Sequence, residues 1–132
     1  MSNNIILVCS AIICALILYQ TVLIAPAINK KINAKDASVF LRFIWPKFFL
    51  VIGLISLFSS IFLFYYKLDQ NILKFCSLFS FILMAVCYII TPIINKAKDE
   101  SNEKKWKVLH LSTVIMTSLV LILNIILILR PY

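Results

Sequence analysis

Four stretches of the chain are almost wholly apolar, and the polar residues gather between them. The stretches cover about residues 5–24, 48–66, 72–91 and 108–129. Each is close to the roughly 20 residues that a helix rising about 1.5 Å per residue needs to cross a hydrocarbon layer of about 30 Å. Polar and small side chains inside the stretches recur at helical spacing: Ser10, Cys14 and Thr21 with Ala11 and Ala15; Gly53, Ser56 and Ser60; Cys76, Ser80 and Cys87; His110, Thr113, Thr117 and Asn124. Such stripes let helices approach closely and hydrogen-bond in lipid, where no hydrophobic force drives them together. The pattern predicts an all-α integral membrane four-helix bundle forming a single domain over residues 1–132.

The punctuation of the spans gives the order. Leu68–Asn71 is too short for anything but a hairpin between the second and third spans. Asn29–Lys47 and Pro92–Lys107 read as longer loops, with Ala37–Trp45 as a short helix along the interface. Proline lacks an N–H and clashes with the preceding turn, so Pro26 and Pro92 are expected to end the first and third helices. Pro46 is expected in the first turn of the second helix. One short phrase occurs twice, as Ala25-Pro26-Ala27-Ile28-Asn29-Lys30 and as Thr91-Pro92-Ile93-Ile94-Asn95-Lys96. Duplication, giving two parallel helix–loop–helix repeats, and chance identity in an Ile- and Lys-rich chain both fit it. The first span is expected to be retained as a helix, since no positive charge precedes it and its apolar run exceeds that of a signal peptide.

Composition makes the same case. Of 132 residues 63% are hydrophobic, mean hydropathy is +1.04 and there is one glycine. So short a chain cannot bury that much apolar surface in a core of its own. The formal charge of +8 would suggest nucleic acid in a soluble domain. Here the cations sit in loops. Lys30, Lys31, Lys35, Arg42 and Lys47 occupy the first, and Lys96, Lys98, Lys104, Lys105 and Lys107 the third. Lys67 and Lys74 flank the second loop, and Arg130 lies near the C-terminus. The positive-inside rule then predicts loops one and three in the cytoplasm, with both termini and loop two outside. The expected partners are a bilayer with anionic headgroups at the basic loops and a second copy or a membrane complex, with no nucleic acid.

Little in the chain could do chemistry. All five acids lie outside the apolar spans, and no nucleophile–base pair or glycine-rich phosphate loop occurs. Cys9, Cys14, Cys76 and Cys87 are scattered within the spans and read as packing residues. With His110, Met84 and Met116 they would suit Cu(I), but the spacing is generic and no metal or other cofactor is expected. His110 is the only histidine and lies near the cytoplasmic end of the fourth span. An intramembrane ionisable group marks a functional position or an interfacial hydrogen bond. At about its depth lie Gln20, Thr21, Pro26, Pro46, Thr91, Pro92 and Thr113, a predicted inner-leaflet polar cluster.

The Ala25-Pro26 step, the stretch Leu41-Arg42-Phe43-Ile44-Trp45-Pro46-Lys47-Phe48-Phe49, the Thr91-Pro92 step, the acids of loop three and His110 together resemble the bacterial members of the transmembrane protein 205-like domain family, small four-helix membrane proteins. The chain departs from that family at Thr113 and Thr117, where a serine and an asparagine are usual, and in lacking glycines in helix one. The resemblance implies fold and location, a bacterial inner membrane with both termini then in the periplasm, and leaves biochemical activity undefined. A looser similarity runs to copper-resistance-D-like and protoporphyrinogen-oxidase-like four-helix proteins, which depend on histidines mostly lacking here. The expected function is therefore non-enzymatic: a solute or metal tolerance factor, or an accessory subunit of a membrane complex. The alternative is a haem-binding or redox membrane protein using His110.

Overall fold

In the computed structural model, which describes residues 2–66 and 71–130, the chain is helical almost throughout. α1 (Ser2–Tyr19) passes through a π-helical turn (Gln20–Ile24) into α2 (Ala25–Lys31), making one continuous rod. α3 (Ala34–Tyr65), α4 (Asn71–Asp99) and α5 (Glu103–Leu129) follow. All four rods are long and apolar enough to cross a membrane, and the chain is read as a multi-pass membrane protein. The α1 rod packs on α3 and α5, and α4 also packs on α3 and α5. Among the described residues the backbone of α1 does not come close to that of α4, nor that of α3 to α5. The bundle is thus a square, with sequence neighbours side by side and two diagonals.

The helices are longer than the apolar runs. At about 1.5 Å per residue the 32-residue α3 measures about 48 Å, well beyond a hydrocarbon core of about 30 Å. The excess lies at the basic end. The expected loop one shrinks to Ile32 and Asn33, and the expected loop three to residues 100–102. Ala37–Trp45, expected as a separate interfacial helix, is the opening of α3. None of the three prolines ends its helix. Pro26 follows the π-helical turn, where the Ala25 N–H reaches back to the Gln20 carbonyl. That wider turn makes room for a residue that cannot donate. Pro46 and Pro92 lie inside α3 and α4. Neighbouring helices hold those turns in place, so one missing hydrogen bond does not stop them.

What does stop the helices is capping. The Asn33 side chain accepts from the Asp36 N–H at 2.9 Å and donates to the Asp36 carboxylate at 2.7 Å, closing the start of α3. The Asn102 side chain accepts from the Lys105 N–H at 3.1 Å at the start of α5. Between α4 and α5 the Asn102 N–H bonds the Ala97 carbonyl and the Ser101 N–H bonds the Lys98 carbonyl, a Schellman turn. Ser101 holds its left-handed position at φ 54°. The hairpin expected at Leu68–Asn71, with the flanking Lys67, falls outside the described residues apart from Asn71, which opens α4.

The interior has two apolar clusters. Ile13, Ile17, Phe49, Ile52, Met84, Cys87 and Val120 fill the middle. Ile6, Leu63, Leu73, Cys76, Leu123 and Leu127 fill the end remote from the basic turns. Large apolar side chains such as Val22, Leu54, Phe58, Ile89 and Leu111 are more than half exposed, as a lipid-facing surface requires. Ser10, Ser56, Ser59, Ser60, Ser77, Ser80 and Asn124 are buried. Ser77 donates to the Ser56 carbonyl at 3.1 Å, and Asn124 to Ser80 Oγ at 3.3 Å and to the Val120 carbonyl at 2.8 Å. The expected stripes therefore face inward, with two exceptions. Ala11 and Ala15 are exposed, rotated one residue off the face carrying Ser10 and Cys14. Thr21 and His110 are exposed too, near the basic end. A methyl group added at Gly53 would sit 3.5 Å from the Met84 Cβ, an ordinary contact, so close packing there does not demand glycine.

Candidate functional site

A cavity of about 500 Å³ opens among the four rods toward their basic ends. That volume lies within the range of small-molecule sites. α3 supplies Trp45, Phe48 and Phe49. The Trp45 ring lies nearly parallel to Phe49 at 5.6 Å and edge-on to Phe48 at 5.7 Å. α5 supplies Trp106 and His110, one helical turn apart, with rings 5.4 Å apart and parallel within 1°. Lys98 lies 4.3 Å over the Trp106 ring. These contacts fix both aromatic walls.

The other two walls carry amides and hydroxyls. The rod of α1 and α2 contributes Gln20, Thr21 and Asn29, and α4 contributes Thr91 and Asn95. Gln20 is only 7% exposed, and its Nε2 has no hydrogen-bond partner among the described residues. A buried amide donor without a partner costs about 1–3 kcal/mol, so its position calls for an explanation. Gln20 opens the π-helical turn, a rare local geometry often found at functional positions. The hydroxyls are mostly occupied by their own helices. Thr91 donates to the Cys87 carbonyl at 2.7 Å, Thr113 to the His110 carbonyl at 2.7 Å and Thr117 to the Thr113 carbonyl at 2.8 Å. Threonine back-bonding of this kind commits those donors, leaving the amides, the Thr21 hydroxyl and the His110 ring to meet a ligand.

Of the eight residues expected in the inner-leaflet cluster, Gln20, Thr21, Thr91, His110 and Thr113 line this cavity. Pro26, Pro46 and Pro92 do not. Their helices continue past them, so their neighbours Ala25, Trp45 and Thr91 face the space instead. Sequence reasoning missed Asn29, Asn95, Trp45 and Trp106 as wall residues. The repeated phrase held the signal for two of them, because Asn29 and Asn95 occupy its equivalent position and both reach the cavity. The four cysteines are buried free thiols. Among the described residues no three His, Cys, Asp or Glu side chains come together as a metal cluster would.

Outside the cavity, Arg42 of α3 pairs with both carboxylate oxygens of Asp99 of α4, Nη1 at 3.1 Å from Oδ2 and Nη2 on Oδ1. Lys96–Glu100 and Lys98–Glu103 pair at 3.7 and 3.4 Å on the same end. The chain matches no known family, and neither the curated proteins nor the solved structures contain a significant match to it.

Proposed function

We propose that this is a non-enzymatic membrane protein that holds a small amphipathic solute in the cavity at its basic end, acting as a solute-tolerance or carrier component. The observation that carries the reading is the combination of aromatic walls with a buried, unpartnered Gln20 amide beside an open volume. A purely structural bundle gains nothing from such a space, since unfilled volume and unpaired donors both weaken it. The cytoplasmic placement of the basic end, the inner-membrane location and the kinship with the transmembrane protein 205-like domain family belong to the same proposal. Ten cations at one end support the first.

Ala25 lines the cavity and has a small side chain. An Ala25→Phe variant should fill the space. Protein purified in mild detergent and extracted with organic solvent should release one small molecule in near-stoichiometric amount, and the variant should release much less. Equal yields from both, or nothing from the parent protein, would remove the reading. The haem alternative is settled by the same samples: an absorbance band in the Soret region that His110→Ala abolishes would replace it.

A further inference from the structure

The identity of the solute can be narrowed, on the premise that the cavity is a small-molecule site. Its walls alternate in chemistry around the square. Aromatic rings stand on one diagonal, from α3 and α5. Amides stand on the other, Gln20 and Asn29 from the first rod and Asn95 from α4. Among the described residues no lysine, arginine, aspartate or glutamate lines the space, and His110 is its one side chain able to carry charge near neutral pH. A charged head group would lose its hydration there without a counter-ion, at a cost of several kcal/mol, so a neutral ligand fits. Facing aromatic walls favour a flat ring, by stacking or edge contact. Amides on the remaining two sides can donate N–H groups at opposite edges of that ring, and the Gln20 Nε2 is a buried donor with no protein partner. The ligand therefore carries acceptor oxygens at opposite edges.

The route of access adds one more property. Leu18 of α1 and Val114 of α5 line the cavity, and are 48% and 46% exposed. They mark an opening between α1 and α5 on the apolar flank of the bundle. A ligand that reaches the cavity from the bilayer can leave a hydrocarbon tail in that seam.

We infer that the cavity binds the head group of a membrane-soluble para-quinone. The ring lies between the aromatic walls of α3 and α5. One carbonyl oxygen accepts from Gln20 and the other from Asn95. The terminal amide torsion of glutamine is soft, so its nitrogen turns to the ligand at little cost. The tail leaves through the α1–α5 seam. This gives the unpartnered Gln20 donor a partner and explains why amides and rings alternate.

The chain has two tryptophans, Trp45 and Trp106, and both line the cavity. Tryptophan fluorescence, excited at the red edge where tyrosine does not absorb, therefore reports on this space. The protein in detergent is titrated with a decyl-substituted dimethoxy-methyl-benzoquinone. Quenching should saturate near one equivalent, and decylbenzene, which lacks both carbonyls, should not compete. Gln20→Leu, which removes a buried donor without a protein partner, should keep or raise the thermal midpoint and raise the half-saturating concentration about fivefold, as loss of one neutral hydrogen bond does. Linear quenching with the same slope in parent and variant would overturn the quinone, as would a half-saturation unchanged by Gln20→Leu. If the quinone fails while a small molecule still co-purifies and is lost in Ala25→Phe, only its chemical class is wrong. If both experiments fail, the cavity is not a ligand site.

Discussion

Ser101 occupies the left-handed region at φ 54°, the one such non-glycine residue among those described. It closes α4 where the Schellman turn needs that conformation. A side chain there costs about 1 kcal/mol relative to glycine. Ser101→Gly should therefore raise stability by about 0.5–1 kcal/mol, seen as a higher midpoint in thermal unfolding in detergent. Ser101 is exposed, so no lost side-chain burial offsets the gain. Gln20 is the opposite case. It is buried, its amide nitrogen lacks a partner, and it begins an unusual turn. Local rules are broken at that residue without a structural benefit, and such departures concentrate at functional positions.

At the scale of helices, the main departure from expectation is length. Each proline was expected to mark an end or a beginning, because a proline in an isolated helix costs about 3 kcal/mol. In the bundle, packing on both sides outweighs that cost, and Asn33, Ser101 and Asn102 set the real boundaries. The projecting ends are tied by Arg42 and Asp99, a bidentate pair between α3 and α4. Both side chains are substantially exposed, 37% for Arg42 and 57% for Asp99. Exposed pairs contribute little, and salt screens them. Arg42→Ala should lower the thermal midpoint slightly in dilute buffer. Asp99→Ala added to it should cause no further drop, and molar salt should erase the difference. A large effect that persists in salt would mean that the pair does more than hold two helix ends together.

At the scale of the whole molecule, hydrocarbon takes the place of water around the middle of the bundle. Large exposed side chains such as Phe64, Ile61 and Leu129 are stable only in that medium. The up-and-down order brings the cations of α2, α3, α4 and α5 to one end, which the proposed orientation places in the cytoplasm. Alkaline phosphatase fused after Tyr132 should accordingly be active, and a fusion after Lys98 inactive. The reverse pattern would invert the protein and place the cavity in the outer leaflet.

Four spans, their antiparallel order and the gathering of charge were legible in the sequence, because each follows from local quantities: length of an apolar run, loop length and the position of lysines. Of the candidate site, Gln20, Thr21, Thr91, His110 and Thr113 could be anticipated from their depth along the helices. Depth is one coordinate; rotation about the helix axis and the choice of facing neighbours are two more. Those depend on which ridges of α1, α3, α4 and α5 interlock. Only that packing decided that helices run through Pro26, Pro46 and Pro92, that these prolines turn away from the cavity, and that Asn29, Asn95, Trp45 and Trp106 turn toward it. The sequence by itself determined that the chain is solvated by lipid and where its charges stand. The tertiary structure alone decided that an amide diagonal crosses an aromatic one, because that arrangement belongs to the square of helices and to no single helix.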